Sequence, residues 1–287
     1  MDPTDTADPR AWIGRTEIAH DRITATPVRA LAATLDLEDP TAAAALPLPP
    51  LWHWLYFLPL HRQSDIGPDG HARRGGFLPP VPLPRRMWAG SRFEFRAPLR
   101  VGDTVTRKSE IEDVRDRMGR SGQLCFVTVR HELRCHGDHE AALVERHDIV
   151  YREARRSTDA EPPRQRARAD AQWQRTIIPD AVLLFRYSAL TFNGHRIHYD
   201  RRHATEIEGY PGLVVHGPLI ATLLMDLLRR HRADADVADF AFKAVRPAFD
   251  DHALTLCGRS DGAQVRLWAH DREGWLVMEA SATLRNT

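Results

Sequence analysis

Between Leu219 and Leu228 the apolar residues fall at positions 219, 220, 223, 224, 227 and 228, the i, i+3, i+4 recurrence of a helix with one buried face. Pro218 occupies the first turn, where a helix tolerates proline best, and Gly217 precedes it. One clear helix is therefore predicted from about Gly217. Most of the remaining pattern has period two. RMWAGSRFEFRAPL (86–99), TVTRKSEIEDV (104–114), QLCFVTVRHEL (123–133) and AALVERHDIVY (141–151) read as strands, with RDRMGRSG (115–122) as a hairpin connection. After the helix, DFAFKAVRPAF (239–249), HALTLCGRS (252–260), AQVRLWAHD (263–271) and WLVMEASATL (275–284) alternate again, separated by GRSDGA and DREG turns. A shorter helix is predicted over 27–37, with Val28, Leu31, Ala32 and Leu35 on one side. The bulk of LWHWLYFL (51–58) must be buried or line a cleft. The Pro- and Gly-rich stretch 67–84 predicts a long extended loop. Residues 1–10 read as a polar tail, and 152–171, charged and without apolar period, as a solvated linker.

The order helix, aromatic or helical segment, then antiparallel strands occurs twice. FEFRA (93–97) matches FAFKA (240–244) at an offset of 240 − 93 = 147, and VRALAATLD (28–36) matches FRYSALTFN (185–193) at 185 − 28 = 157. Short matches are weak singly, but their shared order supports a duplication. The helix at Gly217 has only WHWLYFLP as its counterpart, so one half keeps the helix and the other becomes cleft wall.

Composition narrows the class. Lys+Arg 40 against Asp+Glu 39 leaves no overall field to draw nucleic acid or an anionic membrane. Three cysteines, Cys125, Cys135 and Cys257, show no zinc-like spacing and fit a reducing compartment. No apolar run approaches the roughly 20 residues of a membrane span, and the acidic N-terminus has no signal-peptide core. A cytoplasmic globular protein is expected.

Candidate chemistry collects in one stretch. Asn193, His195, His198 and Asp200 fall within eight residues, with Gly194 allowing a turn, and His216-Gly217 follows at the start of the predicted helix. Helix N-termini carry free N–H groups and favour negative charge. Proton-handling side chains thus stand shortly before an oxyanion-friendly helix end. HxxH with a third histidine (His195, His198, His216) also offers metal ligands, but without a helical HExxH arrangement no metal is expected.

YSALTFNGHRIHYD followed by EGYPGLVVHGPL resembles the active-site signature of MaoC-like (R)-specific enoyl-CoA hydratases, which carry S-G-D-x-N-P-I-H-x-D and then H-G-M-L. Ile197, His198 and Asp200 match I-H-x-D; His216, Gly217 and Leu219 match H-G-x-L; Asn193 stands where the general family has aspartate. A subgroup with asparagine there, the mesaconyl-CoA (3-methylfumaryl-CoA) and itaconyl-CoA hydratases, is similar over roughly residues 10–285, including PPLWHWLYFLP and DGHARRGGFLPPVPLPRRMWAG. The hydroxyacyl-thioester dehydratases are shorter relatives. The resemblance implies an α+β double hot-dog fold: two antiparallel sheets joined side by side, a long central helix in the C-terminal half and a degenerate one in the N-terminal half. It divides the chain into 10–151 (cleft wall), 152–171 (linker) and 172–287 (hydratase motif).

It also implies a hydro-lyase acting on the C=C of a short dicarboxylic enoyl-CoA, with CoA part of the substrate, no cofactor, and room for a homodimer. A general 3-hydroxyacyl-thioester dehydratase and a non-catalytic acyl-CoA binding module are the alternatives. Water addition needs a base, a proton for Cα, and donors for the thioester oxygen. His198 suits the base, Asn193 the orientation of water, and the Gly217 N–H the oxyanion. Asn193 takes no proton, so His198 shuttles both or His195 or Asp200 assists. A far carboxylate calls for a guanidinium; Arg186 leads Arg85 and Arg86 as candidate, and His195 and His216 are assigned to the substrate site with them.

Overall fold

The computed structural model describes residues 8–39, 47–119, 122–153 and 164–285. In chain order the elements are β1 (Thr16–Arg22), α1 (Ala25–Thr34), β2 (Arg85–Phe95), β3 (Thr104–Gly119), β4 (Gly122–Cys135), β5 (Leu143–Arg152), β6 (Trp173–Ile177), α2 (Ala181–Leu190), α3 (Gly217–His231), β7 (Val237–Ala244), β8 (Leu254–Asp261), β9 (Gln264–Asp271) and β10 (Leu276–Leu284). All ten strands join one sheet in the order β1-β3-β4-β5-β2-β7-β10-β9-β8-β6, every ladder antiparallel. Read inward from its two ends, the sheet gives β1-β3-β4-β5-β2 and β6-β8-β9-β10-β7, the same order displaced by five strands. FEFRA and FAFKA lie in β2 and β7, and these two strands form the seam. There Phe93 pairs with Phe240, flanked by Arg92↔Ala241 and Glu94↔Asp239. The seam therefore sets two repeat-equivalent phenylalanines opposite each other, the mark of a local two-fold axis.

Strand alternation explains the N-terminal half. Leu143, Glu145, Ile149 and Tyr151 of β5 are buried, and β4 buries Val127, Val129 and Leu133. The β3–β4 hairpin is longer than the sequence predicts. Arg115–Gly119 stay paired with Gly122–Phe126, because an exposed ribbon end keeps its ladder without apolar alternation. Two edge strands, β1 and β6, escape period-two reading for the same reason: their burial is sparse (Ile18 is 64% exposed).

Helix α3 begins at Gly217 as predicted, with Pro218 in its first turn, but Leu219–Leu228 are buried on every side. The helix packs against β6, β8, β9 and β10, which wrap it. Its one buried acid, Asp226, is paired by Arg175 (2.9 Å) and Arg230 (2.6 Å), as a charge inside an apolar element must be. The N-terminal counterpart is a single 3₁₀ turn, Trp52–Leu55, entered through Leu51 at φ 73°. Its Trp54 meets Trp88 edge-on at 5.1 Å and Phe93 at 5.8 Å, so aromatic rings occupy part of the space a helix would fill. The loop over 67–84 is packed rather than simply extended: Val81 and Leu83 bury against Ile111, Val127 and Tyr151.

Residues 154–163, half of the predicted linker, and most of the N-terminal tail lie outside the described residues. The linker's described end is attached rather than solvated. Leu276 N–H donates to Gln165 O (2.8 Å), and the Arg166 guanidinium lies 3.8 Å from the Trp275 ring centroid. No helix among the described residues is long and apolar enough to cross a membrane.

Candidate active site

Helix α2 ends at Leu190, and the turn that follows builds the site. Leu184, Tyr187 and Ser188 face inward. Phe192 takes φ 50° to reverse the chain, and Asn193 N–H donates back to Ser188 O at 2.8 Å. Asn193 Oδ1 accepts the His195 N–H (3.0 Å), a local Asx turn that leaves the amide N–H₂ without a protein acceptor among the described residues. A 3₁₀ turn, Arg196–His198, then buries Ile197 and His198.

His198 is held in a defined tautomer. Its Nδ1 lies 2.7 Å from Val214 O; a carbonyl only accepts, so Nδ1 carries the hydrogen and Nε2 keeps its lone pair. Burial pushes its pKa down to about 4, with the Val214 hydrogen bond opposing. His198 is thus a neutral imidazole facing a cleft of about 1840 Å³ lined by both halves of the chain. His216 stacks on it at 3.8 Å (18° between planes) and bonds Ser188 Oγ through Nε2 at 2.8 Å. It is fully buried, and burial lowers its pKa well below the ordinary value.

Gly217 opens α3 beside these rings and lines the cleft. Its N–H is one of the first-turn donors with no acceptor inside the helix. A Cβ there would meet nothing closer than Met278 Cε at 4.0 Å, so close packing is not why glycine stands at 217. Together, an imidazole with a free lone pair, an amide donor and a helix N-terminus can activate water and steady a developing oxyanion.

Three sequence expectations change. Arg186 sits on the exposed side of α2, roughly opposite Leu184, Tyr187 and Ser188, and does not line the cleft. His216 is closed off behind His198 and braces it instead of meeting substrate. Asp200 accepts from His203 N–H (3.0 Å) and from Arg196 (2.7 and 3.0 Å), so it holds the loop and does not join the cleft. Nor do His195, His198 and His216 bring their ring nitrogens together as a ligand set among the described residues.

Arg85 and Arg86 line the cleft as expected. Arg85 is engaged: it pairs with Glu208 (3.2 Å), bonds the Tyr210 hydroxyl and lies over that ring at 5.0 Å. Arg86 has no carboxylate partner among the described residues. His195 also lines the cleft, its ring 5.4 Å from that of His198 and nearly perpendicular. Burial, then His71 and His198, push its pKa far below the ordinary range.

Sequence reading missed two groups. The first is the loop pair Asp69 and His71. His71 Nδ1 and backbone N–H both donate to the Asp69 carboxylate (2.9 and 3.0 Å), and the His71 ring lies 4.0 Å from that of His195. The second is a buried cluster on the N-terminal sheet. Glu145 accepts from Ser91 (2.9 Å), Trp54 (3.2 Å) and His53 (3.2 Å); burial would raise its pKa, but His53 and the nearby histidines hold it at about 2. Its signal was legible: Glu145 and His147 interrupt an otherwise apolar strand face, and His131 stands opposite Glu145.

A duplicated antiparallel sheet that keeps one wrapped helix, with a neutral histidine and an amide gathered at that helix's start, is the arrangement of the double hot-dog acyl-thioester hydro-lyases. The chain belongs to the hydroxyacyl-thioester dehydratase type 2 family, whose model matches residues 51–250. It is 46% identical over 283 residues to the mesaconyl-C4-CoA hydratase of Chloroflexus aurantiacus, covering 97% of this chain and 98% of that protein. A solved MaoC-like dehydratase superposes with a TM-score of 0.73 at 13% identity, covering 98% of this chain and all of that one. A Mycobacterium tuberculosis protein with a double hotdog fold gives 0.59 at 12% identity, covering 95% and 96% of the two chains. At such identities these two speak for the fold alone.

Proposed function

We propose that the chain hydrates a short dicarboxylic enoyl-CoA of the mesaconyl-C4 kind, adding water across the C=C conjugated to the thioester to give a citramalyl-type product. His198 Nε2 takes the proton from water, the Asn193 amide orients that water, and the Gly217 N–H supports the thioester oxygen as it gains charge. Residues 172–287 carry this chemistry, and residues 10–151 form the opposing wall. The reaction is redox-neutral and calls on no cofactor. Three free cysteines accord with a cytoplasmic setting.

One observation supports the dicarboxylate: Arg86, half-buried in the cleft, has no ion-pair partner among the described residues. Its charge bears on His71, His147 and His195, so it reaches toward the reacting end of the cleft. A half-buried guanidinium without a counter-charge gains from an anion, and a substrate carboxylate could pair with it bidentately. Arg86→Ala should lower kcat/KM for mesaconyl-C4-CoA by roughly 10–100-fold more than for crotonyl-CoA, the loss of one charged hydrogen-bonded pair. Equal damage to both would move Arg86 to the CoA moiety. Wild-type preference for crotonyl-CoA would replace the dicarboxylate reading with a general dehydratase, and preference for itaconyl-CoA would shift the acyl group within the same class.

A further inference from the structure

A hydration needs two proton transfers. In the C-terminal motif the second cleft histidine, His195, is driven toward its neutral form by burial and has no carboxylate bonded to it among the described residues. His198 serves water; Asn193 carries no exchangeable acid; Asp200 is spent on Arg196 and His203. Among the described residues two histidines lining the cleft are nevertheless held by carboxylates, His53 by Glu145 on the N-terminal sheet and His71 by Asp69. Of the two it is His71 that lies against the turn carrying Asn193 and His195. Asp69 fixes His71 with Nδ1 as the donor, as in any carboxylate-oriented imidazole, and leaves Nε2 for the cleft that both residues line. Unlike His71, His195, His198 and His216 have no carboxylate within bonding distance among the described residues.

The placement is enforced. Gly70, between Asp69 and His71, has φ +89°, and a Cβ on it would stand 1.8 Å from Gly194 O; a Cβ on Gly194 would stand 2.7 Å from Gly70 O. Arg196 N–H donates to Asp69 O (2.9 Å) and Arg196 Nη1 to Pro68 O (3.0 Å). Two glycines thus let the N-terminal loop lie backbone to backbone on the turn between Asn193 and His195. Gly194 is glycine for this approach. The result sets His71 4.0 Å from His195, which in turn lies 5.4 Å from His198.

We infer that His71, oriented by Asp69, is the second proton-transfer residue of the reaction, filling the role of the carboxylate absent at Asn193. The inference rests on the hydratase reading. In hydration an O–H bond of water breaks and its proton goes to His198 Nε2 while the hydroxyl bonds to Cβ. The C=C electron pair forms a C–H bond at Cα with the Nε2 proton of His71, which enters the step as the imidazolium that Asp69 stabilises and leaves it neutral. The proton held by His198 then returns to His71 to reset the site. The groups facing His71 are Asp69, Arg74, Arg86, His195 and His198; burial lowers its pKa and Asp69 opposes that.

The test uses the full chain and the enoyl-CoA that the wild type hydrates fastest. His71→Ala should lose roughly 10²–10⁴ in kcat with little change in KM, and free imidazole should restore part of it. His71→Gln, which can keep a hydrogen bond to Asp69, should be equally slow and should melt with the wild type. Asp69→Asn, acting through position, should move the alkaline limb of the hydration profile to lower pH, since the imidazolium loses its counter-charge. Full kcat in His71→Ala, a loss confined to KM, a loss that imidazole leaves untouched, or a stoichiometric divalent cation held by Asp69, His71 and His195 would each overturn the inference. His198→Ala separates the two readings: impaired beside an unimpaired His71→Ala, it sinks this inference alone; unimpaired itself, it sinks the hydratase site.

Discussion

A histidine can act as a base only while neutral, and the surroundings of His198 keep it so. Burial outweighs the Val214 hydrogen bond and holds its pKa near 4, against an ordinary value of about 6.5. The base form therefore persists as pH falls through 6.5 and is lost only around pH 4. The acid limb of kcat/KM should lie there, provided the fold survives. His198→Ala should cost roughly 10²–10⁴ in turnover and abolish that limb; wild-type kinetics in the variant would remove His198 from the chemistry. At this scale the sequence was legible wherever residues sit close along the chain. Asn193, His195, His198 and Gly217 reach one cleft. Arg186 failed because its face of α2 is a matter of helical phase: its neighbours Leu184, Tyr187 and Ser188 took the inner side. Asp69 and His71 were overlooked because their significance depends on Gly70 meeting Gly194, more than 120 positions away, and local spacing carries no trace of such contact.

Among the elements, α3 was the easiest to foresee and the most informative once seen. Its apolar stripe announced a buried face, but burial all round reflects four strands curling about it. That dry setting strengthens any hydrogen bond at its N-terminus. An amide-to-ester change at Gly217, with glycolic acid in its place, isolates the donor: it replaces the N–H by an oxygen without added atoms, whereas a proline at 217 would have to be helical immediately before Pro218. The variant should fold and melt as the wild type while losing about 10²–10³ in kcat. Unchanged kcat would mean that another group serves the oxyanion. β1 and β6 show the opposite case: edge strands owe their existence to one neighbour's ladder and half-exposed faces, so TEIAHDR and WQRTI bear little periodicity to read.

At the scale of the whole molecule, duplication governs what each half can do. The N-terminal half gave up its helix for the Trp52–Leu55 turn and a packed Pro/Gly loop, and the space released became cleft. The order of repeats was visible in FEFRA and FAFKA. Their meeting across the seam, Phe93 on Phe240, was not, because sequence similarity between repeats says nothing of their contact. That pairing bears on assembly. A two-fold axis usually relates separate subunits, and an enzyme whose cleft spans such an axis loses activity when it falls apart. Here the axis runs inside a covalent chain, and His71, Asn193, His198 and Gly217 all belong to one polypeptide. Whatever larger assembly the chain forms, activity per mole of chain should stay constant on serial dilution through any subunit dissociation seen by light scattering; a concentration threshold would show that a second chain completes the site.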